Sequence, residues 1–207
     1  MKLWKFKNYE EYKSAQVAGY TAKVNTHSWV DTHGIRGLVS YIKDYNSDAS
    51  FGLCHGTRRG LEQEEFNKTF KSLDMDVNVI GTEIASDAEK RFKDTIEWDF
   101  HKVKDEWVSN VDFIYSNSFD HSYDPEKALN SWMACLNKKG LCFIEWSTWA
   151  DSPSRPMDPY QATYQEYREL FQSKFDVVDV LKNEPKKDEG KNFKGERFYF
   201  VIRNKDE

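Results

Sequence analysis

The most constraining feature of this 207-residue chain is a glycine-punctuated loop between two apolar runs. The run Ala49–Cys54 leads into His55-Gly-Thr-Arg-Arg-Gly60, a helix-like segment follows, and a second run, Val77–Ile84, carries one carboxylate, Glu83, near its end. This order is typical of a βαβ nucleotide site, where the loop lets a ligand approach the backbone and the carboxylate accepts hydrogen bonds from ribose hydroxyls. The pattern therefore predicts a nucleotide site at the carboxyl ends of adjacent parallel strands.

Seven apolar runs predict the strands of one sheet. Several are continuously apolar rather than alternating, as expected for strands buried on both faces of a parallel sheet. The runs are Ala49–Cys54, Val77–Ile84, Thr95–Trp98, Val111–Asn117, Gly140–Trp146, Phe175–Leu181 and Arg197–Arg203. Helical segments separate most of them. The predicted fold class is α/β, with a Rossmann-like, seven-stranded, mostly parallel sheet and helices on both faces.

Capping residues predict where several helices begin and end. Asp124-Pro125 offers an N-cap followed by proline at the first helical position, and Gly140 is predicted to end that helix. Asp158-Pro159 is predicted to start a later helix in the same way. Leu61–Leu73 and Ser86–Lys93 are predicted to form the helices of the two earlier gaps.

Composition and charge narrow the class of protein. Aromatic residues make up 15% of the chain, which argues against disorder, and no apolar run approaches the roughly 20 residues that span a bilayer. The net charge of −5 does not favour a nucleic-acid partner. Cys54, Cys135 and Cys142 are odd in number and lie in apolar runs, so they predict free buried thiols and a reducing, cytoplasmic location.

The gap before the last run, Lys182–Lys191, is charged and contains proline and glycine. It predicts an exposed loop that joins the last two strands as an antiparallel hairpin. A sheet of βα units closed by such a hairpin resembles class I S-adenosylmethionine-dependent methyltransferases, and the likeness covers about residues 49–203. The His-Gly-Thr-Arg loop is similar to that of small bacterial or phage members. Cys54, Gly56 and Arg58 occupy the places of the family's Gly-x-Gly-x-Gly loop, and Gly52 occupies the place of an acidic residue.

The resemblance implies that S-adenosylmethionine is the cofactor, and it implies a set of binding residues. The first loop would cradle the methionine part, Glu83 would bind the ribose, and Asp99-Phe100 would contact adenine. The end of the fourth strand would face both cofactor and acceptor. The residues that the resemblance assigns to the cofactor are Gly52, Cys54, His55, Gly56, Thr57, Arg58, Glu83, Ile84, Asp99, Phe100, Asn117 and Ser118.

Candidates for catalysis and acceptor binding follow the fourth and fifth strands. His121 is the candidate general base, because histidine titrates near neutral pH, and Asp120 could orient it; alternatively, both residues only cap the next helix. With Asp124 they offer too few ligands to predict a metal site. An acceptor-binding loop or an ordinary connector follows the fifth strand, and its candidate residues are Trp146, Trp149 and Arg155.

The predicted organisation is one compact unit with an N-terminal helical, aromatic-rich cap over residues 1–48 and a methyltransferase-like domain over residues 49–207. The aromatic residues of the cap could cover the acceptor pocket, pack in the core or form a homodimer contact. The predicted function is methyl transfer from S-adenosylmethionine to a small-molecule or sugar-like acceptor. The alternative is a catalytically inactive, cofactor-binding or scaffold protein. A nucleotide-dependent or NAD-dependent oxidoreductase is a third reading, against which the broken glycine pattern and the terminal hairpin count.

Overall fold

The chain folds around one seven-stranded sheet in a computed structural model, which describes residues 1–25, 29–183 and 195–205. The strands of this sheet are β2 (Phe51–His55), β3 (Asn78–Glu83), β4 (Thr95–Glu97), β5 (Val111–Ser116), β6 (Leu136–Ser147), β8 (Asp176–Lys182) and β9 (Arg197–Arg203). A separate antiparallel pair joins β1 (Lys2–Leu3) to β7 (Tyr160–Gln161). The predicted α/β class is confirmed.

The order of the strands is β4-β3-β2-β5-β6-β9-β8. The first five of these are parallel, and β9 runs antiparallel to both β6 and β8. The predicted terminal hairpin is therefore confirmed, although most of its predicted loop, Lys182–Lys191, lies outside the described residues. The chain reverses its direction of strand addition between β2 and β5, and ligands bind at such a switch point in open α/β sheets.

Six α-helices accompany the strands in the described ranges, and both faces of the sheet are covered. They are α1 (Tyr9–Lys23), α2 (Thr32–Tyr45), α3 (Leu61–Ser72), α4 (Ala88–Arg91), α5 (Pro125–Cys135) and α6 (Tyr164–Lys174). On one face, Leu38 of α2 and Phe66 of α3 pack with Phe113 of β5. On the other face, Trp132 of α5 and Phe171 of α6 are buried against the strand side chains that point to that face of the sheet. None of the helices has the length and apolarity that a membrane crossing requires, among the residues described.

The N-terminal 48 residues divide between two places. Helix α2 belongs to the layer that covers the sheet, since Ile35, Leu38 and Val39 are almost completely buried there. Asp31 caps this helix by accepting the backbone N–H of Gly34 at 3.2 Å. Helix α1 instead lies over the carboxyl ends of the strands, with Asn8 as its N-cap.

Three predicted helix boundaries are wrong. The helix that begins with Asp124 as N-cap and Pro125 at its first position ends at Cys135 and not at Gly140, because Leu136 is already extended and pairs with β5. The later helix begins at Tyr164 and not after Asp158-Pro159, since the intervening β7 pairs with β1. The predicted helix Ser86–Lys93 shortens to one turn.

Candidate functional site

Two adjoining cavities lie where the carboxyl ends of β2, β3, β4 and β5 meet. The smaller cavity, of about 50 Å³, lies beside β3 and β4, and the larger, of about 470 Å³, lies beside β5 and β6. Five residues line both, and they are Lys23, Gly56, Arg58, Ser118 and His121. The larger volume falls within the range of small-molecule sites, roughly 300–1,000 Å³.

The loop after β2 is shaped by Gly56. Its φ of +74° is a left-handed conformation, and a Cβ there would lie 2.6 Å from the Cβ of Ser118. The N–H groups of Gly56 and Thr57 both donate to the carbonyl of Thr82, at 2.9 and 3.1 Å. The Ser118 hydroxyl donates to the Gly56 carbonyl at 3.0 Å. The loop is thus held between β3 and the segment after β5, and it separates the two cavities.

Three residues assigned to the cofactor lie in the core and line neither cavity. A Cβ on Gly52 would lie 2.2 Å from the ring of Phe113, so this glycine is required by packing inside the sheet. Cys54 is fully buried, and burial raises the pKa of its thiol. The structure does not bring Gly52 or Cys54 to the site.

His55 is the third of these core residues. Its Nδ1 lies 2.9 Å from the Thr82 hydroxyl, and its ring centre lies 5.0 Å from that of Trp132. Burial lowers the pKa of His55 to about 3, so the imidazole is neutral. It packs beneath the loop and does not reach the smaller or the larger cavity.

Glu83 lies at the floor of the smaller cavity and is held by the backbone. Its Oε1 accepts the N–H of Ile84 at 2.8 Å and that of Ala85 at 3.3 Å, while Oε2 accepts the N–H of Arg58 at 3.0 Å. Burial raises the pKa of this carboxyl despite those bonds. Glu83 therefore joins the end of β3 to the first loop and presents its remaining lone pairs to the cavity.

Asp99 and Phe100 also line the smaller cavity. One oxygen of Asp99 lies 2.8 Å from Nδ1 of His101, whose Nε2 lies 2.7 Å from the Ser122 hydroxyl. Burial opposes ionisation of Asp99, but its hydrogen bonds from His101 outweigh this and lower its pKa to about 2. Ser122 is fully buried, so this Ser-His-Asp arrangement braces two loops and does not present a nucleophile.

Helix α1 closes the smaller cavity from above. The residues that it contributes to the lining are Tyr12, Gln16, Gly19, Tyr20 and Lys23. In addition, the Tyr9 hydroxyl donates to the second oxygen of Asp99 at 2.9 Å. The remaining space of about 50 Å³ holds a few water molecules but not a nucleoside. A ligand of nucleoside size therefore requires side chains of α1 to move.

His121 lies on the boundary between the two cavities. Gln16 donates its amide N–H to the carbonyl of Pro156 at 3.0 Å, which turns its Oε1 toward His121 Nδ1 at 2.8 Å. That arrangement assigns the proton of a neutral His121 to Nδ1 and leaves Nε2 as the basic atom. Nε2 lies 3.8 Å from Asp158 and 4.0 Å from Asp120.

Asp120, His121 and Asp158 also form a three-ligand cluster of the kind that can hold a metal ion. Asp158 is, however, already paired with the guanidinium of Arg155. His121 and that guanidinium outweigh burial and hold the pKa of Asp158 low, while burial raises the pKa of Asp120. Because the Arg155 guanidinium already places a positive charge on Asp158, it repels a metal cation at the same cluster. We therefore assign no metal ion to this cluster.

The larger cavity gathers most of the residues predicted after β2, β5 and β6. Those that line it are Gly56, Thr57, Arg58, Asn117, Ser118, Asp120, His121, Trp149 and Arg155. Trp29 and Trp149 lie at its mouth with ring centres 6.1 Å apart, and both are well exposed. Trp146 does not line it, because its indole is buried and donates to the carbonyl of Ala162 at 3.0 Å.

Sequence reasoning missed several polar residues of the larger cavity. Glu62, in the first turn of α3, is 4% exposed and lines the cavity; in sequence it resembles any acidic residue at a helix start. Glu145 on β6 pairs with Arg197 on β9, with Oε1 3.1 Å from Nε. Burial raises the pKa of both Glu62 and Glu145 to about 7. Pairing of β6 with β9 brings Glu145 and Arg197 together, the start of α3 places Glu62, and no local pattern marks these residues.

The strand order and the terminal hairpin define a Rossmann-like α/β fold with a mostly parallel sheet. No family model and no curated protein matches the chain by sequence. Among solved structures, 1,6-didemethyltoxoflavin-N1-methyltransferase from Burkholderia thailandensis, with its substrate and S-adenosylhomocysteine bound, is similar at a TM-score of 0.70 and 16% identity. The match covers 98% of this chain and 93% of that one.

Other solved structures share the fold at lower similarity. The plantazolicin methyltransferase BpumL, in complex with S-adenosylhomocysteine, matches at a TM-score of 0.62 and 13% identity over 94% of this chain and 96% of its own. The CMeT domain of the citrinin polyketide synthase matches at 0.56 and 13% over 75% of this chain and 46% of that one. At such identities the likeness establishes the fold, a class I methyltransferase fold.

Proposed function

We propose that this protein is an S-adenosylmethionine-dependent methyltransferase that acts on a small-molecule or sugar-like acceptor. The observation that carries the proposal is a pair of adjoining cavities at the switch point of the sheet, with Glu83 on one side of the loop and a space of about 470 Å³ on the other. One solved neighbour with this fold is a methyltransferase with bound 1,6-didemethyltoxoflavin and S-adenosylhomocysteine.

The residues at the smaller cavity fit a nucleoside. Glu83 has unused lone pairs for ribose hydroxyls, beside the backbone of Ile84. Asp99 can accept from an adenine amino group once Tyr9 releases it, and the Phe100 ring supplies an apolar wall. This assignment requires α1 to shift, since its tyrosines occupy the space above Asp99.

The residues at the larger cavity fit a polar, charged end group together with an acceptor. The Thr57 hydroxyl and Glu62 Oε2 are buried without a hydrogen-bond partner among the described residues, although both line the cavity. At its mouth, Trp149 and Arg155 offer an aromatic ring and a cation to an acceptor. The cavity therefore accommodates the methionine part of the cofactor on its loop side and the acceptor on its tryptophan side.

When bound, the cofactor supplies an electrophilic methyl group on sulfonium sulfur. The protein's own contribution is alignment and the exclusion of water, for which α1 and the tryptophan pair form the walls. His121 Nε2 faces the region shared by the two cavities and takes a proton from a hydroxyl or amine acceptor. Asp158 and Asp120 stabilise the resulting imidazolium, and Gln16 holds the ring in place.

A second candidate is a cofactor-binding or scaffold protein without turnover. The observation that favours it is the small size of the cavity beside β3 and β4, where the Tyr9 hydroxyl already donates a hydrogen bond to Asp99. Calorimetric titration with S-adenosylhomocysteine is the first test. We expect one-to-one binding at micromolar concentrations; a folded sample that does not bind would reject the methyltransferase and favour a scaffold protein.

If the ligand binds, release of S-adenosylhomocysteine from S-adenosylmethionine in the presence of small amines, phenols and sugars separates the two candidates. Turnover with any acceptor supports the methyltransferase. Binding without turnover across the panel favours the scaffold. The matched control is His121→Asn, which keeps a polar side chain on the boundary of the cavities but removes the basic nitrogen.

A further inference from the structure

Glu62 presents an unused carboxylate oxygen to the larger cavity. Its Oε1 accepts the side-chain N–H of Asn117 at 3.2 Å, whereas Oε2 is buried and has no hydrogen-bond partner among the residues described. The great majority of buried polar atoms in proteins have a hydrogen-bond partner. A buried polar atom without one in the wall of a cavity therefore points to a ligand. When Glu62 is ionised, the missing partner has to be a hydrogen-bond donor, because a carboxylate only accepts.

Among the described residues, the charged and titratable groups around Glu62 do not supply a hydrogen-bond donor to its Oε2. Those that face it are Arg58 from the first loop, Cys54 from β2, Tyr115 from β5 and Glu145 from β6. Burial raises the pKa of Glu62 to about 7, and the hydrogen bonds from its own backbone N–H and from Asn117, with the charge of Arg58, only partly oppose this. A cationic donor placed at Oε2 would restore the ionised form.

The main-chain acceptors nearby are already engaged by hydroxyl groups. Ser116 donates to the carbonyl of His55 at 3.0 Å, and Ser118 donates to the carbonyl of Gly56 at 3.0 Å. These bonds reduce the capacity of the loop to bind an ammonium group through its backbone. Glu62 is an acidic side chain of the cavity wall whose Oε2 is buried and has no hydrogen-bond partner within the described part of the chain.

Thr57 adds a donor to the wall of the same cavity. Its hydroxyl is buried, lines the same cavity and also has no partner within the described residues. Arg58 lines the cavity as well and supplies a positive charge. A carboxylate acceptor next to a hydroxyl donor and a guanidinium is complementary to an α-amino acid zwitterion.

We propose that Glu62 binds the α-ammonium group of the cofactor's methionine part, with Thr57 and Arg58 facing its α-carboxylate. The inference rests on the proposed function, because it takes S-adenosylmethionine as the ligand of the site. Formation of the ion pair requires an ionised Glu62, so binding below neutral pH releases the proton that Glu62 carries in the free protein.

The test compares two ligands that share a nucleoside thioether but differ in the amino-acid end. S-Adenosylhomocysteine carries the α-ammonium group, and 5′-methylthioadenosine lacks the whole amino acid. We expect Glu62→Gln to weaken binding of the first by about tenfold or more, which is about 1.4 kcal/mol, and to leave the second within about twofold. Glu64→Gln is the matched control, since Glu64 is an exposed acid of the same helical turn.

Proton release gives a second readout that does not depend on a variant folding well. Titration of the wild-type protein with S-adenosylhomocysteine at about pH 6, in two buffers of different ionisation enthalpy, measures the protons released. We expect release from the wild type and less release from Glu62→Gln. No proton release from the wild type, or an unchanged affinity of Glu62→Gln, overturns the inference.

An equal loss of affinity for both ligands would make Glu62 a structural residue of the loop and would also overturn the inference. All of these outcomes for Glu62 leave the proposed function standing, because the wild-type protein still binds S-adenosylhomocysteine in each of them. A folded wild-type protein that binds neither ligand instead removes the proposed function and, with it, the role of Glu62.

Discussion

Replacing Tyr9 by phenylalanine should have opposite effects on stability and on cofactor affinity. The Tyr9 hydroxyl donates to Asp99 at 2.9 Å and fastens α1 over the smaller cavity. Burial, with the charge of Asp99, raises the pKa of Tyr9, so the phenol remains a neutral donor. An adenine amino group that binds Asp99 must first displace this donor. Tyr9→Phe removes the bond before the ligand arrives.

The magnitude follows from the hydrogen bond and its exposure. A hydrogen bond to a charged group contributes about 1.5–3 kcal/mol, but Tyr9 is partly exposed and water replaces it in part, which leaves about 1 kcal/mol. For a chain of this size, that loss lowers the melting temperature by about 2–4 °C. The same free energy no longer opposes the ligand, so affinity for S-adenosylhomocysteine should rise by up to about fivefold.

The assay pairs scanning calorimetry with isothermal titration on one protein preparation. Tyr45→Phe is the control, because Tyr45 is 39% exposed at the end of α2 and lines neither cavity. Weaker ligand binding by Tyr9→Phe, with the expected loss of stability, would mean that the hydroxyl assists the bound state. The reasoning that α1 must release Asp99 would then be refuted.

Three further predictions concern stability, pH and turnover. Phe66→Ala should lower the free energy of unfolding in urea by about 3–5 kcal/mol, since Phe66 is fully buried between α3 and the sheet; a loss below 1 kcal/mol would contradict this packing. The folded-state pKa of Glu62, about 7, lies above its ordinary value of 4.5, so its contribution to stability is present below pH 4.5 and is lost as pH rises through 7. Stability of Glu62→Gln relative to wild type, measured by urea unfolding, should therefore rise between pH 5 and 8, by at most about 1.4 kcal/mol per pH unit; a flat difference would argue against a raised pKa. His121→Asn should lower turnover by about 10²–10⁴-fold once an acceptor is known, and an equal loss of S-adenosylhomocysteine affinity would instead indicate a structural residue.

The strands were predictable because their signal is local. Continuous apolar runs mark strands that are buried on both faces, and Arg197–Arg203 has the predicted bounds in the structure. The N-cap at Asp124 and the proline after it were predictable for the same reason, since a cap satisfies backbone groups only three residues away. The positions of Glu83 and Asp99 at strand ends followed from the strands themselves, and both line the smaller cavity.

The direction of individual side chains was not predictable from the same runs. His55 and Trp146 lie on strands that lead to the site, but their side chains point into the core. Gly52 lies on such a strand too and is packed against Phe113 inside the sheet. Which residue of a strand end faces the crevice depends on register, twist and the helix that covers each face. Those features arise from pairing between residues far apart in sequence.

The sequence by itself determined a parallel sheet closed by a hairpin, a glycine loop after its first long strand and an acid after its second, because each rests on short-range pattern. Only the tertiary structure decided that α1 covers the smaller cavity and that Gln16 contacts His121 across 105 positions of the chain. It also decided that Glu62 faces a cavity rather than solvent. The physical reason is that the burial and electrostatics of a site depend on which segments, distant in sequence, pack together. Local sequence patterns do not specify that packing.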